Sequence, residues 1–206
     1  MNPFNQLPKA AASKSLRTGV ATLMLVCWVL PSSTLAASPI TGAKPLAPQP
    51  SASAIKPGLA VTYYYAMFEH VRDIPHLVSG TPGEPIPVLD HDTDTGRVLT
   101  GKRAMGVGAE IRGLIRFPEP GTYVFRVNSN DGVKVQIAGL LVHEDPWIHP
   151  DTLSDPIPFT IDTAGWYPLS IDYYQKKGTS ALGLYWTPPG EDKEVAVPAE
   201  FYGHLE

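Results

Sequence analysis

From Gly58 onward the apolar residues recur every second position, the spacing of half-buried strands and not the 3.6-residue period of an amphipathic helix. Leu59, Val61, Tyr63 and Tyr65 mark an early strand. Ile111, Gly113, Ile115 and Phe117 alternate with Arg112, Leu114 and Arg116, and Pro118-Glu119-Pro120-Gly121 then breaks the run. Tyr123, Phe125 and Val127 face one way in the next strand, which ends at Asn128-Ser129-Asn130-Asp131-Gly132, a cluster of turn formers. Val133, Val135 and Ile137 follow and predict a hairpin partner for it. Tyr167, Leu169, Ile171 and Tyr173, a Gln175-Lys176-Lys177-Gly178 turn, and Leu182, Leu184 and Trp186 predict a second hairpin. At least six strands joined by turns point to an all-β, antiparallel β-sandwich or closed barrel. Between Pro82 and Val107 the pattern is weak, and a long loop with one short strand is expected there.

The N-terminal quarter reads differently. Residues 1–36 carry Lys9, Lys14 and Arg17, an apolar run from Gly19 to Leu30, Pro31, and then small residues up to Ala36. That is the layout of a secretory signal peptide, with cleavage after Ala36 or Ala37. The run of about twelve residues is short of the roughly 20 that span a bilayer, so a transmembrane span is not expected after cleavage. Residues 37–57 are rich in Ala, Ser and Pro, lack aromatics and periodicity, and predict an extended, mobile, disordered linker. Residues 58–206 form the β domain.

Composition narrows the function classes. Charged residues are 17 % of the chain, while 22 Pro and 18 Gly indicate many turns. Without the leader, which holds three basic residues and no acid, the formal charge moves from −4 to −7. An acidic protein is a poor match for nucleic acid or anionic lipid, both of which demand surplus Lys and Arg. The only cysteine, Cys27, lies in the leader, so the β domain has no disulfide and no thiol nucleophile. Neither a Gly-x-Ser-x-Gly elbow, nor a His-Glu-x-x-His helix, nor a phosphate-cradling glycine loop occurs, and no enzyme is expected.

Three blocks carry a resemblance. Gly108–Trp147, with Gly121, Tyr123, Phe125, Ser129, Asn130, Asp131, Gly132 and Gly139 in matching places, resembles the central block of the PA14 family. Ala164–Trp186 is similar to the closing hairpin of that family, and Gly58–Tyr64 to its first strand. The resemblance implies a β-sandwich of PA14 type that serves mainly in carbohydrate recognition or as an accessory unit. In sugar-binding adhesins of the family, two adjacent acids joined by a cis peptide hold Ca²⁺ together with a later Asn, and sugar hydroxyls complete the coordination. Here the acid pair becomes Asn130-Asp131 and the later residue Gln175, which removes one formal charge. Ca²⁺ accepts six to eight oxygen ligands, so an amide, a carboxylate and a second amide suit it in kind. The competing reading of Asn130-Asp131-Gly132 is a tight turn whose side chains cap backbone amides. Trp147 is expected to pack or, if exposed, to stack on a pyranose. Asp90, Asp92 and Asp94 alternate as in a calcium loop, but Thr95 and Gly101 stand where such a loop needs Gly and Glu, so an acidic solvated loop is expected.

Two functions fit these readings. One is an exported, non-catalytic module that binds a glycan or cell-envelope polysaccharide through Asn130, Asp131, Gln175 and Trp147. The other is a protein-interaction or structural accessory domain of a cell-envelope or secretion assembly, without sugar binding. Either would be periplasmic, secreted or on the cell surface.

Overall fold

The computed structural model describes residues 37–93 and 96–206, so the signal-peptide reading, with Cys27, lies outside the described residues. Ten main strands follow in chain order: β1 Ala60–Tyr64, β2 Asp90–Thr93, β3 Val107–Phe117, β4 Gly121–Asn130 and β5 Val133–Ile137. They continue with β6 Leu140–Asp145, β7 Ile157–Ile161, β8 Gly165–Gln175, β9 Ser180–Thr187 and β10 Tyr202–His204. One sheet runs Lys56–Pro57, β10, β3, β8, β5, β6, with β1 added beside β3 and Thr81–Pro82 beside β1. The other runs β7, β4, β9, Val195–Ala196, with β2 against β9 and Thr152–Leu153 against β4. All named pairings between strands are antiparallel, which makes the expected sandwich.

The alternation seen in the sequence selects the core. Ile111, Ile115 and Phe117 of β3 face Tyr123, Phe125 and Val127 of β4 across the interior, with Tyr167, Leu169, Ile171 and Tyr173 of β8 and Leu182, Leu184 and Trp186 of β9 beside them. Phe117 is the hub, its ring centroid 4.8 Å from that of Tyr123 and 5.2 Å from that of Tyr167.

The two predicted hairpins are not hairpins. β4 lies in one sheet and β5 in the other, and the same holds for β8 and β9. Both connections cross the core. Alternation tells which side chains turn inward but not which neighbour a strand pairs with, and facing strands of two sheets satisfy the same pattern. The hairpin that does form joins β5 to β6 through Ala138 and Gly139, whose φ values of 51° and 77° are those of a tight two-residue turn.

Residues 37–57 also depart from expectation. Far from a free linker, they form a strap along the sandwich. Ile40 makes a parallel bridge to Phe159, with its amide 2.9 Å from the Pro158 carbonyl and its carbonyl 2.8 Å from the Thr160 amide. Ala43 is buried in the core. The Leu46 amide donates to the Trp166 carbonyl at 2.9 Å. The Gln49 side chain donates to that carbonyl at 3.1 Å and accepts from the Trp166 amide at 2.7 Å. Lys56–Pro57 finally pairs with β10. Composition suggested too little apolar surface to offset ordering, but this segment docks mostly through backbone groups on sheet edges. Its prolines restrict the unfolded chain, so less entropy is lost on docking.

Prolines also sit at strand edges: Pro57 and Pro82 in two-residue edge strands, and Pro158 in β7, whose outward carbonyl meets the strap. The weakly patterned region holds β2, paired with β9. The acidic stretch is therefore partly an edge strand, in which Asp90 accepts from the Tyr185 hydroxyl at 2.9 Å, while Asp94 lies outside the described residues.

Candidate functional site

The two crossings, Asp131-Gly132 and Lys176 to Thr179, leave their strands at the same end of the sandwich. The register of β4 on β9, with Asn130 opposite Ala181, fixes this, as does that of β8 on β5, with Tyr173 opposite Val133. Asn130, Asp131 and Gln175 are thereby brought together. The Asn130–Asp131 peptide bond is cis.

Asn130 is 7 % exposed, and its Nδ2 donates to Thr179 Oγ1 at 2.8 Å. Its carbonyl accepts from the Tyr173 hydroxyl at 2.6 Å. Asp131 is 3 % exposed, with Oδ2 accepting from the Lys176 amide at 2.7 Å. The amide of Asp131 donates to the Tyr174 carbonyl at 3.1 Å, and the Tyr174 amide donates to the Gly132 carbonyl at 3.0 Å. At Gly132 a Cβ would lie 2.5 Å from the Tyr174 ring and 2.8 Å from the Pro146 carbonyl oxygen, so the crossing admits only glycine without displacement. Gln175 is fully buried, and its Nε2 donates to the carbonyls of Gly178 and Thr179 at 3.2 and 3.3 Å. Its Oε1 is buried without a partner among the described residues.

This pattern bears on a cation. Both amide side chains spend their nitrogen on the Gly178-Thr179 loop, and Asp131 spends one carboxylate oxygen on Lys176. What remains is an oxygen from each: hard acceptors of neutral or negative charge, the donor class Ca²⁺ takes. The orphaned Oε1 of Gln175 is the clearest of them, because a buried acceptor left unpaired costs about 1–3 kcal/mol. The residues fit the ion in kind. Among the described residues no three His, Cys, Asp or Glu side chains converge as a metal cluster, and this donor set is one carboxylate with two amides.

Burial pushes the Asp131 carboxyl above its usual range, against the opposing pull of the Lys176 amide and of His149. A carboxyl raised in the folded state favours its neutral form there. Its contribution to stability is present below the unfolded value and is lost as pH rises through the folded one. In chelator near neutral pH, Asp131→Asn should therefore melt no lower than the unmodified protein. Any advantage should vanish on acidification below about pH 4, the range of an ordinary carboxyl. Thermal unfolding followed across pH checks this, and a lower melting temperature for the variant at neutral pH would contradict it.

Trp147 does not pack in the core. It is 57 % exposed on the loop after β6, and its ring meets His70 edge-on with centroids 4.6 Å apart. The loop itself is anchored where the Val71 amide donates to the Pro146 carbonyl at 3.2 Å. Its partner is thus a surface histidine of the segment before Val71–Asp73, a contact no strand periodicity registers. His149 of the same loop lies 3.5 Å from Asp145 Oδ2.

Three participants escaped the sequence reading. In the sequence Tyr173 reads only as an inward-facing core position, although an inward tyrosine at the end of a strand needs an acceptor for its hydroxyl. Thr179 and the Lys176 amide carried no signal, because a loop backbone donor is invisible until its conformation is known.

A two-sheet antiparallel sandwich that gathers polar crossing loops at one end is a loop-bearing β-sandwich domain. The chain belongs to the PA14 domain family, which matches residues 56–200. No curated protein matches it. Among solved structures, an anti-sigma factor domain-containing protein aligns with TM-score 0.62 at 17 % identity, over 73 % of this chain and 48 % of that one. This chain thus spans about half the length of that protein. The PA14 sugar-binding domain from an RTX adhesin aligns with TM-score 0.56 at 17 % identity, covering 72 % of this chain and 98 % of that one. Epithelial Adhesin 9 A domain from Candida glabrata, in complex with Galβ1-3GlcNAc, aligns with TM-score 0.60 at 11 % identity, over 77 % and 94 %. At these identities the likeness establishes the fold.

Proposed function

We propose that the protein is a non-catalytic binding module that recognises a glycan or cell-envelope polysaccharide through the loop end formed by Asn130, Asp131 and Gln175, with Trp147 at its margin. The observation that carries this reading is that the side chains of Asn130, Asp131 and Gln175 all bond the one Lys176–Thr179 loop, each keeping an oxygen that the loop does not engage. Ca²⁺, when bound there, would supply positive charge and open coordination positions for vicinal hydroxyls. Asn130, Asp131 and Gln175 would hold it. The sugar-binding adhesin and the galactoside-bound adhesin of the same fold support the ligand class. The leader supports export to the periplasm, the outside or the cell surface, and no helix among the described residues is long and apolar enough to cross a membrane.

The test is a glycan array read with Ca²⁺ and with chelator, alongside Asp131→Ala. Binding in Ca²⁺ that falls by roughly tenfold or more in chelator and in the variant is expected, since one charged ligand carries the only formal charge of the set. An array blank under both conditions would remove the reading. The second reading, a protein-interaction or structural accessory domain of an envelope or secretion assembly, draws on the same hydrogen bonds. They tie Asn130 and Asp131 into the loop and leave both nearly buried. A blank array together with recovery of a defined envelope protein by crosslinking would favour it.

A further inference from the structure

The strap and the sandwich enclose a cleft of about 520 Å³, lined among others by Arg116, Trp166 and Glu200. Its size falls in the roughly 300–1,000 Å³ range of small-molecule sites. It sits by the strand ends opposite to the Asn130 loops, since Trp166 and Arg116 are paired neighbours one step from the Gly165–Phe117 pair that starts β8 and ends β3.

Trp166 is held by both backbone groups. Gln49 accepts from its amide at 2.7 Å and donates to its carbonyl at 3.1 Å. The indole lies over Gly203. A Cβ there would stand 3.6 Å from the ring and 2.3 Å from a methyl of Ile55, so glycine lets the ring and the strap meet on one spot. Such a ring is fixed before any ligand arrives, which lowers the ordering cost of binding. Arg116 enters none of the ion pairs formed by the described residues and keeps its planar fork of donors for another partner. Glu200 lines the same cleft as an acceptor, and the pair balances in charge. Pro50 and Pro57 make stiff apolar walls.

We infer that this cleft is a second binding site, independent of the Asn130 end and of any metal, and that its ligand is a neutral hexose unit of a saccharide chain. One flat apolar ring suits the C–H face of a pyranose. A bidentate donor on one side and a carboxylate on the other suit its hydroxyls. Charge balance disfavours a uronate or phosphate. A proline-rich peptide would require a row of aromatic rings. Among the described residues, Trp166 is the only aromatic of the cleft besides Tyr202, whose ring is buried in the core.

The experiment is a titration of the ¹⁵N-labelled protein, in excess chelator, with cellohexaose, maltohexaose, mannohexaose and chitohexaose. The readout is the indole N–H resonance of Trp166, assigned from Trp166→Phe. At least one hexasaccharide should shift it saturably. Arg116→Gln, an exposed position that leaves the fold intact, should weaken the binding by roughly tenfold or more, as expected for loss of a bidentate donor. Asp131→Asn should leave it unchanged, and that arm separates this site from the loop end. No shift with any of the four would overturn the inference. So would a shift that survives Arg116→Gln or disappears in Asp131→Asn.

Discussion

Phe117→Ala should lower the unfolding free energy by about 3–5 kcal/mol, the cost of emptying a fully buried aromatic site. Phe117 ends β3 just before the chain crosses to β4, so its ring sits where the sheets close on one another. Beyond Tyr123 and Tyr167, its centroid lies 6.1 Å from that of Trp186, 6.2 Å from Phe125 and 6.4 Å from Phe159. Removing it unpacks residues from β4, β7, β8 and β9 at once, and the large neighbouring rings cannot all move in to fill the space. Urea denaturation read by near-ultraviolet dichroism would measure the loss. A change below about 1 kcal/mol, the scale of a surface substitution, would show that the aromatic cluster does not bear on stability as its geometry indicates.

Removal of residues 38–55 is expected to cost roughly 2–4 kcal/mol, from five hydrogen bonds at about 1 kcal/mol each, offset by the entropy regained. The bonds are those of Ile40 to Pro158 and Thr160, of Leu46 to Trp166, and the two between Gln49 and Trp166. Loss of Ala43 from the core adds a small void. Lys56, the first residue kept after the strap, is also where the family match begins. Differential scanning calorimetry of the two lengths gives the answer, and equal melting temperatures would show that the strap lies on the sandwich without supporting it.

Much of the fold was legible. Inward positions such as Ile115, Phe125, Leu169 and Leu184 follow from alternation alone, because a period of two leaves one face per strand to bury. Pairing was not legible. The stretch from Tyr123 to Ile137 reads as a hairpin because its turn residues and its alternation are locally correct, yet Asp131-Gly132 carries the chain over the core. What decides between the two is the shape of the crossing, where Tyr174 and Pro146 crowd Gly132 from outside the stretch. The strap is not legible in the sequence for a related reason. Backbone donors and acceptors are the same in every residue, so a segment such as Ile40 to Leu46 that docks by its backbone leaves no mark in composition.

The candidate site divides along the same line. Asn130, Asp131 and Gln175 are grouped by the resemblance and do bond one loop, Lys176–Thr179, whereas Trp147 stands exposed against His70, some eighty positions away in sequence. Side-chain identity revealed the acceptors. Their commitments to Thr179, Lys176 and Tyr173 depended on a loop path that only the folded chain defines.

The prolines in the edge strands bear on colloidal behaviour. An unpaired strand margin invites the margin of another molecule, and the zipper that follows requires an amide at every other step. Pro57, Pro82 and Pro158 each withhold that amide, and the last has its remaining carbonyl already taken. Concentrated solutions of the protein should accordingly resist growth into ordered fibrils, and the negative charge it carries works in the same direction.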